Sequence, residues 1–371
     1  MLAPDLHLQN ILDAITSKQG ITRDLALDLL NRQNPKEIFQ LVEKADIIRK
    51  KQVGDIVTFV RNRNINFTNI CVNKCHFCNY QVSQNSPDAY ILSSEQIRSK
   101  AQEALDNGCT ELCIQGGIND SITFEYYLEI LEIIRSLDSR IHIHAFSPEE
   151  ILNASRQAQL TIKEVLTQFK RAGLNSMPGT AAEILHDEIR KRICSKKLKK
   201  DQWVEIIEQA HELGIPTSAT MMYGHVETNE DIITHLDCIR SIQNRTHGFT
   251  EFVLLPFIHF NTRLFREYGS RPGSSSLEDL KIHALSRLYL GDVIKNIQAS
   301  TVKLGLKFAQ LMLVAGCNDL GGTLYEENIS RSAGARTAEF FSAKQLIETI
   351  KAVKRIPKER NTTYTEIFLP E

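Results

Sequence analysis

Residues 69–80 read N-I-C-V-N-K-C-H-F-C-N-Y, and this stretch decides how the rest of the chain is read. It places Cys71, Cys75 and Cys78 on one short loop in C-x3-C-x2-C spacing. A structural zinc site closes four ligands, usually as two cysteine knuckles. Here three thiols stand together with no second knuckle nearby. A [4Fe–4S] cluster takes one thiolate per iron, so three cysteines leave one iron open to a further ligand. An open coordination position marks a catalytic rather than a structural centre. A zinc knuckle and a Cys75–Cys78 redox pair of the C-x-x-C type are the competing readings.

Outward from the loop, the chain alternates strands and helices. Asn64–Cys71 is the expected first strand, running into the cysteines. Ser93 with Gln96 starts a helix, and Thr110–Gln115 is the second strand, followed by Gly116-Gly117. Arg140–Phe146 is the third strand, and Ser147-Pro148-Glu149-Glu150 a capping box with proline at the first helical position. Asn175–Met177, Pro216–Tyr223, Phe249–Leu255 and Ile297–Ser300 follow as strands, with Asp319–Leu324 as an eighth. Alternation of this kind implies a parallel sheet, and its repetition over some 270 residues an α/β fold built as a (β/α) barrel, full or partial. Chemistry in such a barrel gathers at the C-terminal strand ends, where the cysteine loop, Gly116-Gly117, Ser147, Pro178-Gly179 and Gly224-His225 all fall. Residues 1–50 read as a helical N-terminal extension, 51–336 as the barrel, and 337–371 as a tail with an amphipathic helix from Ala343 and a polar end.

Composition narrows the class. Of 371 residues 42% are hydrophobic and 24% charged, as in ordinary globular proteins. A net charge of −1 supplies no basic field for nucleic acid, and no apolar run nears the length of a membrane helix. The start M-L-A-P-D-L lacks the pattern of a signal peptide. Five further cysteines, scattered in apolar or helical contexts, read as free thiols of a reducing, cytoplasmic compartment.

Several residues are candidates by position. His142 and His144 alternate with Ile141 and Ile143, so period two sets both imidazoles on one face, expected to be the lumen. Thr180 and Glu183 form T-A-A-E, which reads equally as a capping box and as a carboxylate at a strand end. Tyr223, His225 and Glu227 are expected at the barrel mouth. Gly321-Gly322 lacks the context of a phosphate loop and reads as a close turn.

The cysteine spacing, with Tyr80 two residues after the last Cys, resembles the radical S-adenosylmethionine (SAM) superfamily. The segments H-I-H-A-F-S-P-E-E-I, G-L-N-S-M-P-G-T-A-A-E-I-L, A-T-M-M-Y-G-H-V-E and F-T-E-F-V-L-L-P-F-I-H narrow the resemblance to one branch. That branch holds the deazaflavin (F0) synthase subunits and two menaquinone-pathway enzymes, aminofutalosine synthase and cyclic dehypoxanthinyl futalosine synthase. Residues 50–355 carry the likeness, which is greatest to the second F0 synthase subunit. Thr301 departs from the aromatic expected there.

The resemblance implies a [4Fe–4S] cluster on Cys71, Cys75 and Cys78, with SAM chelated to the open iron. It implies that Tyr80, Gly116, Gly117 and Glu183 help to hold SAM, although Ile118 replaces the acidic residue of the usual G-G-E motif. It also implies the reaction: a 5′-deoxyadenosyl radical takes a hydrogen atom from L-tyrosine, the Cα–Cβ bond breaks, and the 4-hydroxybenzyl fragment adds to C5 of 5-amino-6-(D-ribitylamino)uracil. His142, His144, Tyr223, His225 and Glu251 are then candidates for substrate contacts. The implied partners are the first F0 synthase subunit and a reductant protein, in coenzyme F420 biosynthesis. The rivals are a menaquinone-pathway enzyme of the same fold and an electron carrier with no SAM chemistry.

Overall fold

The computed structural model describes residues 6–16, 20–326, 328–335 and 340–368. Residues 1–5 and 17–19 of the expected helical extension, and 337–339 and 369–371 of the tail, lie outside them.

Three helices come first, Leu6–Ala14, Arg23–Asn31 and Pro35–Val53. Thr22 and Asn34 cap the last two, and Pro35 occupies the first helical position, where no N–H is required. These two pack on the barrel helix Ser276–Leu290. Lys281 of that helix donates to the Arg32 carbonyl at 2.9 Å, fastening the extension to the barrel.

The barrel strands are β1 (Ile56–Val60), β2 (Asn62–Asn66), β3 (Glu111–Gln115), β4 (His142–Ala145), β5 (Thr217–Tyr223), β6 (Phe249–Pro256), β7 (Ile297–Ala299) and β8 (Asp319–Gly322). Strands β2-β3-β4 form one parallel sheet, and β5-β6-β7-β8-β1 run in order through a second. Bridges His144↔Ser176 and Met177↔Thr217 join β4 to β5, so residues 176–177 stand where a strand is expected. Arg63↔Tyr325 ties β2 to the chain leaving β8. The ring therefore closes, and the expected barrel is a full one.

Three local expectations differ from the structure. β1 was not foreseen, although Gly54 caps the helix before it and Asp55 separates the two, because only two residues divide the apolar I-V-T-F-V from that helix. The T-A-A-E segment does not cap a helix. Arg190 donates to the Ala181 and Ala182 carbonyls, and Met222 N–H to the Glu183 carbonyl at 2.8 Å, which holds 181–183 in a non-helical path. Ala181 and Glu183 are both left-handed there, and the helix begins only at Asp187. The tail carries the expected helix, Ala343–Ala352, but its end is not merely polar. Ile356–Arg360 forms β9, parallel to β1, and Ile367–Phe368 forms β10, antiparallel to β9. The charges of I-P-K-E-R hid this strand, yet Arg360 is buried because carboxylates inside the barrel receive it. No helix among the described residues is long and apolar enough to cross a membrane.

Candidate active site

The cysteine loop leaves β2 and is stitched back by the segment that follows it. Cys71 N–H donates to the Val82 carbonyl at 3.2 Å, and Val82 N–H to the Asn69 carbonyl at 2.9 Å. Lys74 takes a left-handed conformation that lets the loop double back, and Cys78 N–H reaches the Cys75 carbonyl. The Gln81 amide donates to the carbonyls of Cys75 and Cys78 at 2.8 and 3.1 Å, clamping the turn between them. All three thiols line one cavity at the barrel mouth, and no other cysteine lines it among the described residues. Burial pushes the Cys75 and Cys78 thiols up, Cys75 well above its usual range, while the Lys197 ammonium works the other way. No group of three His, Cys, Asp or Glu side chains among the described residues closes on a single metal ion. A four-iron cluster sets a different demand, since each thiolate binds its own iron.

Gly116 and Gly117 form the wall beside the loop. A Cβ on Gly117 would meet the Ile70 carbonyl oxygen at 2.2 Å, and one on Gly116 the Phe67 ring at 2.5 Å. Their N–H groups are already bonded, Gly116 to Glu150 at 2.9 Å and Gly117 to the Thr68 carbonyl at 2.9 Å. The glycines are thus needed to let the cysteine loop lie close, and their N–H groups are spent on the protein itself. Glu150 closes its capping box with Ser147 and braces Gly116 at the same time. Burial pushes its carboxyl up to about 7.

Glu183 faces the same cavity and pairs with Lys197 at 2.7 Å, the side chains being only 11% and 15% exposed. Burial opposes each charge, but the pair outweighs it: Lys197 holds its proton well above the usual range and Glu183 is held below its own. Tyr80 lines the cavity too, its hydroxyl bonded to that of Tyr90, which in turn donates to the Asn66 carbonyl at 3.0 Å.

A second cavity lies deeper in the barrel. The two are alike in volume, about 230 and 250 Å³, and Gln115, Thr180, Thr220, Leu255, Lys303 and Ile329 line both, so they form one continuous lumen. Strand alternation decides what the deeper part contains. On β2 it turns Asn62, Asn64 and Asn66 inward; on β3, Glu111, Cys113 and Gln115. His144 lines this cavity, whereas His142, nearer the start of β4, does not. Both imidazoles meet the Ser176 hydroxyl, at 2.7 and 2.6 Å. Burial lowers them, His142 to about 4, so both are neutral at pH 7.

Opposite stands Glu251 of β6. It accepts from Gln298 at 2.8 Å, from Arg360 at 3.3 Å and from the Tyr364 hydroxyl. Arg360 comes from β9 and is anchored by Asp319, with 2.6 Å from its Nε. Burial lifts the Glu251 carboxyl to about 7; Arg360 opposes the rise and Asp319 adds to it.

Three residues expected at the barrel mouth line neither cavity. On β5, Ser218, Thr220 and Met222 line the lumen, so the alternate Tyr223 points outward. Its hydroxyl donates to Asp279 of the outer helix at 2.7 Å. His225 lines neither cavity: its ring meets the Met222 carbonyl at 3.1 Å and accepts from Val226 N–H at 2.7 Å. Glu227 takes the N–H groups of Gly224 and His225 and pairs with Arg271. Gly321 and Gly322 belong to β8 and line the deeper cavity. Sequence reasoning missed Lys197, Glu150, Arg360 and the inward asparagines. Only the asparagines left a trace, the alternation N-R-N-I-N at 62–66.

A cluster-type cysteine loop at the mouth of a closed (β/α) barrel defines a class, and comparison bears it out. The family described as the radical SAM superfamily matches residues 65–239, and the one described as the CofH/MqnC C-terminal region matches 246–371. Among solved structures the chain is similar to methylornithine synthase (TM-score 0.71, 19% identity, 94% of this chain and 96% of that one). It is also similar to the FeFe-hydrogenase maturase HydG from Carboxydothermus hydrogenoformans (TM-score 0.75, 14% identity, 98% and 82%). At such identities these two support the fold alone.

The chain is a radical SAM protein. Its curated relatives make the assignment narrower. It is 50% identical to the 5-amino-6-(D-ribitylamino)uracil–L-tyrosine 4-hydroxyphenyl transferase of Methanopyrus kandleri over 94% of both chains. To the protein of that name from Archaeoglobus fulgidus it is 52% identical, over 92% of this chain and 96% of that one. The chain belongs to this transferase family.

Proposed function

We infer that the protein is a radical SAM transferase that joins the 4-hydroxybenzyl group of L-tyrosine to 5-amino-6-(D-ribitylamino)uracil, on the route to deazaflavin F0 and coenzyme F420. The observation that carries this reading is the 50% identity to a transferase of that name along 94% of both chains. It favours this substrate pair over those of the menaquinone-pathway enzymes.

The residues present fit the cofactors of the superfamily. Three soft thiols without a fourth suit a [4Fe–4S] cluster with one open iron, and Cys71, Cys75 and Cys78 would hold it. SAM would take the remainder of the upper cavity. Asn73 Nδ2 and Gln81 Oε1 are buried there without a partner, as polar groups awaiting a ligand are. Tyr80 and Glu183 bound the same space, and the Gly116-Gly117 turn would offer its carbonyls. When bound, cluster and SAM supply a carbon-centred radical. The chain's own part is to orient the substrates against it and to keep water out. Buried walls around a continuous lumen suit both tasks. Glu251, with its carboxyl near neutrality, is suited to hold or release a proton at Oε during the steps that follow radical addition. His144 would hydrogen-bond a substrate as a neutral imidazole. The first F0 synthase subunit, as consumer of the product, and a protein reductant complete the proposed partners.

The test is anaerobic turnover of the reconstituted protein with SAM, reductant, L-tyrosine and the ribitylaminouracil, read by mass spectrometry. A benzylated uracil adduct together with 5′-deoxyadenosine is expected. Deoxyadenosine with no adduct would move the assignment to other substrates, and none at all would remove SAM chemistry from it.

A further inference from the structure

We propose that the deeper cavity is the ribitylaminouracil site, with Asn64 and Asn66 of β2 accepting hydrogen bonds from its hydroxyl and amino groups and Glu251 facing it from the opposite wall. The proposal rests on the functional reading above and adds to it a seat for one of the two substrates.

Three asparagines face this cavity, and their states differ. Asn62 is fully engaged: its Nδ2 donates to Glu111 at 2.8 Å and its Oδ1 accepts from Leu324 N–H at 2.9 Å. Asn66 is only half engaged, its Nδ2 donating to the Gln115 carbonyl at 3.2 Å. The Oδ1 atoms of Asn64 and Asn66 are sealed from solvent and have no partner. Asn66 is only 8% exposed, so water does not relieve it. An unmet buried acceptor is costly and marks where a donor is to arrive. Two residues apart on a strand, the two side chains stand about 7 Å from each other. Donors must therefore be spread along the ligand rather than gathered at one end.

The other groups around the cavity suit such a ligand. Glu111, Glu251 and Arg360 line it, and Asp319 anchors Arg360 from beside it. Three carboxyl groups, that of Glu251 lifted to about 7, stand with Arg360 and with Lys303, which also lines the cavity, so the site is rich in acceptors without a strong net charge. L-Tyrosine gathers its ammonium and carboxylate at one end and has only a phenol hydroxyl beyond them. The ribitylaminouracil is neutral and carries ribityl hydroxyls, an exocyclic amine and ring N–H groups along its length. Of the two substrates it alone spreads many donors along an extended body without formal charges, as the two separated acceptors require.

The experiment is anaerobic calorimetry on the cluster-reconstituted full chain, titrated separately with 5-amino-6-(D-ribitylamino)uracil and with L-tyrosine. Asn64→Leu removes the acceptor at similar size, whereas Asn64→Asp keeps it. Asn64→Leu is expected to weaken the uracil by about tenfold or more and leave tyrosine within about twofold, the loss of one buried hydrogen bond. Asn64→Asp is expected to retain the uracil. Asn66→Ala carries the same comparison if Asn64→Leu does not fold. Weaker tyrosine binding with the uracil spared, equal weakening of both, or no change in either would each overturn the assignment. Wild-type protein that binds neither compound would overturn the functional reading instead, so the two failures are told apart.

Discussion

The two ends of the lumen are alike in size and opposite in construction. The upper cavity is made by loops that follow the strands: the cysteine turn, the Gly116-Gly117 turn, and the 180–183 segment with Lys197 against it. The deeper one is made largely by side chains of the strands themselves, up to three from each. Loop sites concentrate their chemistry in a few consecutive residues. Strand sites scatter it across the chain, where only the closed ring brings Asn64, His144, Glu251 and Arg360 to face one another. The upper end is therefore suited to a task common to a superfamily, and the deeper end to the choice of substrate.

The sharpest way to break this comparison is to disable each end in turn. Cys75→Ala is expected to abolish the iron–sulfur absorbance and reduce 5′-deoxyadenosine formation to background. Glu251→Gln is expected to retain the absorbance and SAM cleavage while adduct formation falls. A Glu251→Gln protein without its cluster would show that the two ends are not separable.

Both ends are fastened by buried or largely buried ion pairs, and the next effect is on stability. Glu183→Gln leaves the Lys197 ammonium buried without its partner, and Arg360→Met leaves Asp319 and Glu251 without theirs. Each is expected to cost about 3–5 kcal/mol in urea unfolding, the usual penalty for breaking a buried pair from one side. A loss below about 1 kcal/mol would mean that the remaining charge is neutralised or hydrated, as at an exposed pair.

A smaller effect follows from pH. The Glu150 carboxyl is lifted by burial from 4.5 to about 7 in the folded protein, so the folded state binds this proton more tightly than the unfolded one. Its stabilising contribution is complete below pH 4.5 and is lost as pH rises through about 7. Wild type should lose stability relative to Glu150→Gln over that window and run parallel to it outside. Thermal melts of both proteins between pH 4 and 8.5 measure this, and an opposite slope would show the carboxyl to be charged in the fold.

The smallest effect is expected at Tyr223→Phe, which removes one hydrogen bond to Asp279 on the outer helix. About 1 kcal/mol of stability should go, with turnover unchanged. A fall in turnover at constant stability would return Tyr223 to the lumen chemistry from which strand alternation excludes it.

The same division explains what could be read from the residues alone. The cysteine loop, the Ser93 and Ser147 caps and the order of barrel strands were legible, because each is written in neighbouring residues. Tyr223 and His225 were misjudged because a position at the end of a strand was taken as a direction, and one residue of register turns a side chain from lumen to outer helix. T-A-A-E carried a valid local signal that Arg190 overrides from nine residues away. Lys197 sits in the run S-K-K-L-K-K, where nothing local separates it from lysines that face water. Arg360 was hidden for the opposite reason, since its partners lie 41 and 109 residues away.

That distance has a consequence for how the protein is made. β9 aligns with β1, Ile356 beside Ile56, so one flank of β1 waits three hundred residues for its neighbour. At ribosomal speed this is roughly 15–60 s during which a strand edge of the nascent barrel has no cover. The cysteine loop, by contrast, emerges early. The cysteine loop can therefore take shape on the ribosome well before the Arg360 side of the lumen is laid, and a chaperone that shields the β1 edge over that interval would protect the step at which this fold is most exposed to aggregation.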